Sequence, residues 1–481
     1  MGGGVILGAA GARTLGPHTT SFAGVSLIAS PVTDGVMNDA SLLSSTPIFK
    51  HTIVKEATSD RLVAVLRAEL KAATSEGRAV NLAAARHSMG GHSIPYDGRA
   101  LTLDSPKVST TAGSNIYTVQ AGTRWRDVIS ALDPLGLAPK VMQSNNDFGV
   151  ASTFSVNAHG WAVAHGPMGS TVQSVGMLLA DGTFVRASRV ENADLFAAAM
   201  GGYGLIGLIT DLEVEWAENQ LLEPTFEPMA ADAFAAAFSN KVTEVPMAYG
   251  RLNVDRDGFL QDAMMVSYRP IAGEVPAAEG SGFLSKLSRH IFRAQVGNEW
   301  VKHRRWGIET GIGASLAGAT SRNSLFNEPV ATLEDNDPTR TDILHEYFVA
   351  ADKFGEFLHV CRSIIPDSYQ ELLNITLRWV EQDTASLLSY APDGPRIAAV
   401  LLFSQEMTAR GEADMAWMTG RLIDAVQAIG GSYYLPYRPH ATVDQFRAGY
   451  ARAEEFIVLK RRVDPGLVLR NGFWDRYLAG I

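Results

Sequence analysis

Ala83-Ala84-Ala85-Arg86-His87-Ser88-Met89-Gly90-Gly91-His92-Ser93 decides how this chain is read. The stretch follows a short apolar run, Ala79-Val80-Asn81-Leu82, and leads toward another, Leu101-Thr102-Leu103-Asp104. That order predicts a tight turn between two strands. A turn so rich in glycine and small polar residues points successive backbone N–H groups into one hollow, which suits the diphosphate of a dinucleotide. A histidine in that hollow, His87 or His92, sits beside whatever is bound there.

Outward from this turn the chain is regular. Leu62, Val63, Val65, Leu66, Leu70 and Ala73 recur at helical spacing, which predicts a helix over residues 60–76. Ser59 is placed to cap its start and Gly77 to end it. Strands are expected near 79–84, 100–103 and 116–120, and a helix from Trp125 to Leu135. Val172 to Thr183 reads as a strand entering an Asp181-Gly182 turn, followed by a returning strand. A helix over 194–199 and a strand over 206–214 complete an α+β pattern. Gly202-Tyr203-Gly204-Leu205-Ile206-Gly207 spells G-x-G-x-x-G, but here a helix ends and a strand begins, the reverse of a Rossmann unit. A nicotinamide site of that type is therefore rejected.

Composition bounds the function. A chain of 481 residues is too long for one ordinary core, so two or three domains are expected. The net charge of -10 argues against a nucleic-acid partner. The single cysteine, Cys361, excludes an internal disulfide and a cysteine-cluster metal site. It lies in the apolar pattern of Phe354, Phe357, Leu358 and Val360, as a buried structural thiol would. No segment has the length and apolarity of a membrane span. Val5 to Ala12 resembles the end of an export signal without its basic start, so a periplasmic or exported protein is one expectation and a cytoplasmic one with a flexible tail the other. Residues up to about Pro47 read as a poorly structured leader.

Gln143 to Gly160 is dense in small and amide-bearing residues, which let backbone lie against a flat ring and supply donors and acceptors to its edge. With this stretch in place, the order Arg86-His87-Ser88-Met89-Gly90-Gly91, Asn157-Ala158-His159-Gly160, Ala180-Asp181-Gly182, Asp194-Leu195-Phe196, Gly201–Gly204 and Ile209-Thr210 resembles the FAD-binding domain of the vanillyl-alcohol oxidase / p-cresol methylhydroxylase (PCMH-type) superfamily. The aldonolactone and alditol oxidases, the decaprenylphosphoryl-ribose oxidases and the cytokinin dehydrogenases look nearest. The resemblance implies a two-part FAD-binding domain over residues 45–220, after a leader at 1–44. It also implies a substrate domain over 221–430 and a segment at 431–481 that returns to the flavin.

The same resemblance implies roles. Ala85, Arg86, His87, Ser88, Met89, Gly90, Gly91, His92 and Ser93 would hold the FAD diphosphate. Asn146, Gly149, Ser152, Ser155, Asn157, His159 and Gly160 would line the ring and ribityl chain, and Ile209 would reach the adenine or ring edge. Many members bond a histidine to the flavin 8α-methyl carbon. His87 follows arginine as in the alditol oxidases and is preferred for that link. His92, in Gly91-His92-Ser93, looks like the berberine-bridge branch, and a noncovalent flavin is the remaining alternative.

Residues 221–430 alternate strands (247–254, 262–268, 373–380, 398–403) with helices (351–361, 413–428), which fits an antiparallel sheet covered by helices. Glu346 and Phe348 fall on one face of a strand, and Asn374, Thr376 and Arg378 on one face of the next. A buried arginine needs a partner, which Glu346 could supply; either Glu346 or Arg378 meets a substrate hydroxyl, or the two form a structural ion pair. Tyr434-Leu435-Pro436-Tyr437-Arg438-Pro439-His440 resembles the basic-Pro-His segment of the alditol and aldonolactone oxidases, with Arg438 in place of the usual lysine. A fixed positive charge there would stabilise reduced flavin. Glu346 and His440 are the candidate bases, with Tyr434 and Tyr437 as relays, and Asn374 as a further substrate contact. Lys302-His303-Arg304-Arg305 reads as a solvated helix face or partner contact, within a weakly periodic insertion (275–333) suited to a lid or an oligomer contact.

The expected activity is hydride removal from a C–OH group of a polyol, sugar, lactone or aromatic alcohol, with oxygen or another acceptor taking the electrons. Oxidation at a C–N bond and a non-enzymatic flavin-binding protein are the alternatives. No metal is expected.

Overall fold

The computed structural model of the protein describes residues 28, 35–56, 58–111, 113–280, 292–311, 318–329 and 337–480. The apolar run Val5–Ala12 and parts of the 275–333 insertion lie outside them. Helix makes up 33% and strand 28%, in agreement with the α+β class.

The helix Ser59–Glu76 buries Leu62, Leu66, Leu70 and Ala73, a stripe at i, i+4 spacing. Each leucine so removed from water contributes about 1.5–3 kcal/mol. Gly77, at φ +64°, ends the helix in the left-handed conformation that its side-chain-free Cα tolerates. The start differs from expectation. Thr58, not Ser59, is the N-cap, and its side chain makes no capping bond.

A three-stranded sheet runs in the order Lys50–Val54, Arg99–Leu103, Val80–Ala83, with both pairings parallel. The connection after Ala83 is therefore a crossing loop between parallel strands rather than a tight turn. A second sheet is antiparallel, in the order Phe184–Ser188, Val172–Leu178, Leu208–Glu218, Ile116–Gln120, Val108–Thr110, with Leu137–Pro139 pairing the end of Leu208–Glu218. The decoy glycines fall between the helix Ala193–Ala199 and the strand Leu208–Glu218, so no Rossmann turn forms.

From Leu221 the chain builds an eight-stranded antiparallel sheet. Its order is Thr320–Ser321, Leu221–Ala230, Asp262–Pro270, Met247–Leu252, Glu371–Val380, Arg396–Glu406, Arg340–Val349, Ser432–Tyr433. The helices Ala231–Lys241, Phe354–Ile364 and Ala409–Ala428 cover one face. Gly250 marks how closely they sit, since a Cβ there would lie 2.2 Å from Phe234 Cζ. Cys361 is fully buried in this layer, and burial pushes its thiol up.

The end of the chain returns to the first sheet. Val80 N–H donates to Val468 O at 2.7 Å. Lys460 Nζ, buried in the helix Ala453–Val463, donates to Leu205 O and Leu469 O, each at 2.7 Å, and pairs with Asp464. The described end of the leader is also built in, contrary to expectation. Asp39 Oδ2 accepts the Gly91 N–H at 2.7 Å, and Ser41 O accepts from Thr341 Oγ1 at 2.8 Å.

Candidate functional site

The loop after Ala83 turns on two residues of positive φ. Arg86 has φ +55° and Gly91 φ +71°. Among the described residues, the N–H groups of Arg86, His87, Ser88 and Gly90 meet no protein acceptor, whereas Met89 N–H donates to Pro436 O at 2.8 Å. The Arg86 side chain turns back over the neighbouring strand, to Thr102 Oγ1 at 2.5 Å and Leu101 O at 3.1 Å. It braces the loop and leaves backbone donors free.

Beside the loop runs a narrow slot with walls of small residues: Ala83, Ala84, Ala121 and Ala151, with Gly204, Gly207 and Ile209 across from them. Ser152 and Ser155 also line it. The rejected G-x-G-x-x-G thus contributes two glycines to this slot without being a Rossmann motif, a role its order concealed. Close approach explains other glycines. A Cβ on Gly149 would lie 2.7 Å from Ala84 Cβ, and one on Gly160 would lie 1.8 Å from Met142 O. Asn146 and Asn157, expected to reach the ligand, turn their amides to protein. Asn146 Nδ2 donates to Asn327 Oδ1 at 2.8 Å, Asn157 Nδ2 to Asp383 Oδ2 at 2.9 Å, and Asn157 Oδ1 accepts from Gly169 N at 2.9 Å. A larger surface cleft of about 520 Å³, with Arg67, Lys107 and Arg186 in its wall, contains none of the expected residues.

Two histidines meet different surroundings. The His87 ring stacks on Phe148 at 4.2 Å and lies 3.9 Å from Asp147 Oδ2. His92 is sealed between Tyr203 and Phe473, at 5.5 and 5.7 Å, and burial pushes its imidazole down to about 3.

The sheet face turned away from the helices carries the second half of the site. Glu346 is buried, its Oε1 2.5 Å from His159 Nε2 and its Oε2 accepting from Tyr437 Oη at 3.2 Å. Burial, with the Glu346 charge adding, holds the Tyr437 phenol well above its ordinary value, so it stays a donor. Phe348 shares the face and meets the His159 ring edge-on at 5.5 Å. Along Glu371–Val380, Asn374, Thr376 and Arg378 are half-buried while Ile375, Leu377 and Trp379 are buried, so the expected shared face is present. The expected Glu346–Arg378 ion pair is not. Arg378 donates to Ser144 Oγ at 2.6 Å and reaches His159 O at 3.5 Å. The imidazole that the FAD-binding part sends across takes the place of the guanidinium.

Arg438 and His440 fall apart from Glu346. Arg438 reaches Met89 O at 3.2 Å, Ser44 Oγ at 3.0 Å and Glu412 Oε1 at 2.5 Å. His440 Nε2 lies 3.0 Å from Glu412 Oε1, and its Nδ1 3.4 Å from Thr419 Oγ1. Thr419 is on the covering helix and also meets His345 Nε2, at 3.1 Å. His440 therefore belongs to the helix side of the sheet, which speaks against it as a base beside Glu346. Tyr434 spends its hydroxyl on Val156 O at 2.8 Å, so only Tyr437 stands in the relay position. The basic cluster is split as well. On the helix Glu299–Thr310, Lys302 pairs with Glu299 and Glu371, and Arg305 turns under toward the sheet, rather than both facing solvent.

FAD fits these residues. Several buried polar atoms without a protein partner belong to the loop and the sheet face: Arg86 Nε, His159 Nδ1, Trp161 Nε1 and Arg378 Nε. Each such atom costs free energy until a ligand or water meets it. A flat ring with polar edges and a diphosphate supplies such partners, and the free loop N–H groups suit the diphosphate. Among the described residues no cluster of His, Cys, Asp and Glu could hold a metal, and no helix is long and apolar enough to cross a membrane.

A family profile described as "FAD binding domain" matches residues 61–188. Cytokinin dehydrogenase 6 of Oryza sativa subsp. japonica is 33% identical over 440 residues, 80% of this chain and 80% of that protein. Alditol oxidase of a Streptomyces species is 31% identical over 147 residues, 30% of this chain and 34% of the relative. A putative D-arabinono-1,4-lactone oxidase of Neurospora crassa is 32% identical over 99 residues, 21% of this chain and 18% of the relative. The chain thus aligns with well under two thirds of the last two.

Proposed function

Because this chain belongs to the PCMH-type FAD-binding oxidoreductase superfamily, we propose that it oxidises a C–OH group of a small hydroxylated substrate, with Glu346 as proton acceptor. The observation that carries this reading is the buried Glu346 carboxylate, bracketed by His159 Nε2 at 2.5 Å and Tyr437 Oη at 3.2 Å. Bound FAD supplies the two-electron acceptor for the substrate C–H bond. Glu346 takes the hydroxyl proton as the carbinol becomes a carbonyl. Tyr437 orients the same carboxylate from its other oxygen. Arg378, which has no carboxylate partner among the described residues, steers the substrate oxygen from two strands away in the sheet. The loop from Ala85 to Ser93 holds the diphosphate, and His87 carries the covalent link. Oxygen or another acceptor then collects the electrons.

A second reading, oxidation at a C–N bond, is favoured by one finding. The match to cytokinin dehydrogenase 6 runs over 440 residues, far beyond the FAD-binding stretch at 61–188. One preparation separates the two. Purified protein is mixed anaerobically with sorbitol, a sugar lactone, benzyl alcohol or a cytokinin, and the visible absorption band of the oxidised flavin is followed. Bleaching by the alcohols supports the C–OH reading, and bleaching by the cytokinin alone supports the second. A flavin that none of them reduces points to a non-enzymatic binding protein. Glu346→Gln is expected to slow reduction by about 10²–10⁴ with flavin content unchanged. An undiminished rate in that variant removes Glu346 as the base.

A further inference from the structure

The sheet face that carries Glu346 continues to a second cluster. Cross-strand pairing places Glu346 opposite Val400, Val400 opposite Thr376, and Thr376 opposite Arg251, in one row across four strands. Residues paired in this way point to the same face, and three strand spacings separate the backbones of Glu346 and Arg251 by about 14 Å. Side chains reaching inward shorten that span to the scale of a small organic molecule. Thr376 and Asn374 lie in a central strand yet are only half-buried, so the face is not packed shut.

At the far end Arg251 meets Arg305 from the helix Glu299–Thr310. Arg251 Nη1 donates to Asn374 Oδ1 at 3.1 Å and lies 3.5 Å from Glu309 Oε2. Arg305 binds Glu309 at 2.7 Å, Gln295 Oε1 at 2.8 Å and Leu373 O at 2.9 Å. Two guanidinium groups thus share one carboxylate. Burial would push Glu309 up, but Arg305 and Arg251 together hold it below its ordinary value. Arg378, two residues along the face from Thr376, adds a third guanidinium with no carboxylate partner among the described residues. A purely structural cluster would balance its charges, because an uncompensated buried charge is costly. Here Arg251 and Arg305 have the single Glu309 carboxylate between them, neutral acceptors take further N–H groups, and the Arg251 side chain keeps 28% of its surface accessible. Tyr249, stacked on Trp161 at 4.8 Å, supplies a flat wall beside them.

We propose that Arg251 and Arg305 form an anion subsite, so that the substrate is a hydroxylated organic anion, a carboxylate or a phosphate ester, whose charged end lies at Arg251 and whose reacting hydroxyl lies at Glu346. The inference rests on the reading of the Glu346 face as the substrate site. Arg251 acts as a specificity residue and Glu309 as a built-in competitor for the two cations.

Three six-carbon probes test it on the holoprotein: sorbitol, gluconate and glucose 6-phosphate. Binding is read by perturbation of the flavin spectrum and by calorimetry. At least one anion is expected to bind about 30-fold or more tightly than sorbitol, and Arg251→Gln to abolish that preference. Gluconate alone or glucose 6-phosphate alone showing the effect identifies the anion as carboxylate or phosphate. Arg251→Lys is expected to keep part of it, and Glu309→Gln to tighten anion binding, a gain that loss of a structural contact would not produce. Equal affinity for all three probes, or anion binding indifferent to both Arg251→Gln and Glu309→Gln, overturns the subsite. If Arg251→Gln fails to fold, Glu309→Gln and Arg251→Lys still decide. Arg251-dependent binding without flavin reduction by any probe leaves the subsite standing and sinks the proposed reaction; reduction by sorbitol without anion preference does the reverse.

Discussion

His92 is buried, with the Leu435 backbone beside it and aromatic rings on two sides. Burial, with the Arg438 charge adding, keeps it neutral at any working pH. Its packing leaves little freedom to meet a flavin methyl carbon. His87 keeps 20% of its side-chain surface and stands in the stretch of free N–H groups. We expect acid-precipitated wild-type protein to give a yellow pellet. His87→Ala should shift the colour to the supernatant, and His92→Ala should leave it in the pellet. A pellet bleached by His92→Ala alone would show that the wrong imidazole was chosen. At this scale the sequence was legible where chemistry and spacing coincide, as in Arg86 to Ser93. It was not legible for Glu346, whose partner is a histidine 187 positions away along the chain. Alternation tells which face a strand residue takes, but not which residue another part of the chain sends to meet it.

The segment from Tyr434 to His440 shows how one element serves two parts of the molecule. Its Pro436 O and Arg438 guanidinium clasp Met89 of the loop, while His440 joins Glu412 and Thr419 on the covering helix. Glu412 is raised by burial, but the His440 hydrogen bond and the Arg438 charge outweigh that and bring it down to about 2, below its ordinary 4.5. A carboxyl depressed in the folded state contributes stability that is full above the unfolded value and is lost as pH falls toward the folded one. His440 is lowered, chiefly by burial, so its contribution begins to fade nearer its ordinary 6.5. Urea denaturation should therefore show Glu412→Gln less stable than wild type by on the order of 2–3 kcal/mol near neutrality, with the gap closing between about pH 4.5 and 2. A gap that stays constant over that window would mean the carboxylate charge adds nothing there. Helices and strands themselves were readable, because Leu62, Leu66 and Leu70 or Ile375, Leu377 and Trp379 carry their periods openly. The leader's anchorage was not. It includes scattered long-range polar bonds, such as Asp39 to Gly91, Ser41 to Thr341 and Ser44 to Arg438, which leave no period in the sequence.

Between the slot and the eight-stranded sheet runs a seam closed by His159 and Glu346, Asn157 and Asp383, Tyr434 and Val156 O, and Arg378 and Ser144. The unpartnered His159 Nδ1, Trp161 Nε1 and Arg378 Nε belong to residues of this seam, so a cofactor bound there should hold the two sides together. Binding to the folded state alone raises stability by mass action, by about 2.7 kcal/mol at a free concentration 100 times Kd. The covalent link would hide this in wild type, whereas a His87→Ala protein can be stripped of flavin and reloaded. Added FAD should move its urea midpoint upward in proportion to the logarithm of concentration, with fluorescence and circular dichroism shifting together. Gly160→Ala in the same background should lose the response, since the added Cβ would lie 1.8 Å from Met142 O and must displace the backbone that frames the seam. If FAD leaves the midpoint of the stripped protein where it was, the cofactor does not bridge the two sides. The orphaned atoms of His159, Trp161 and Arg378 would then need some other partner.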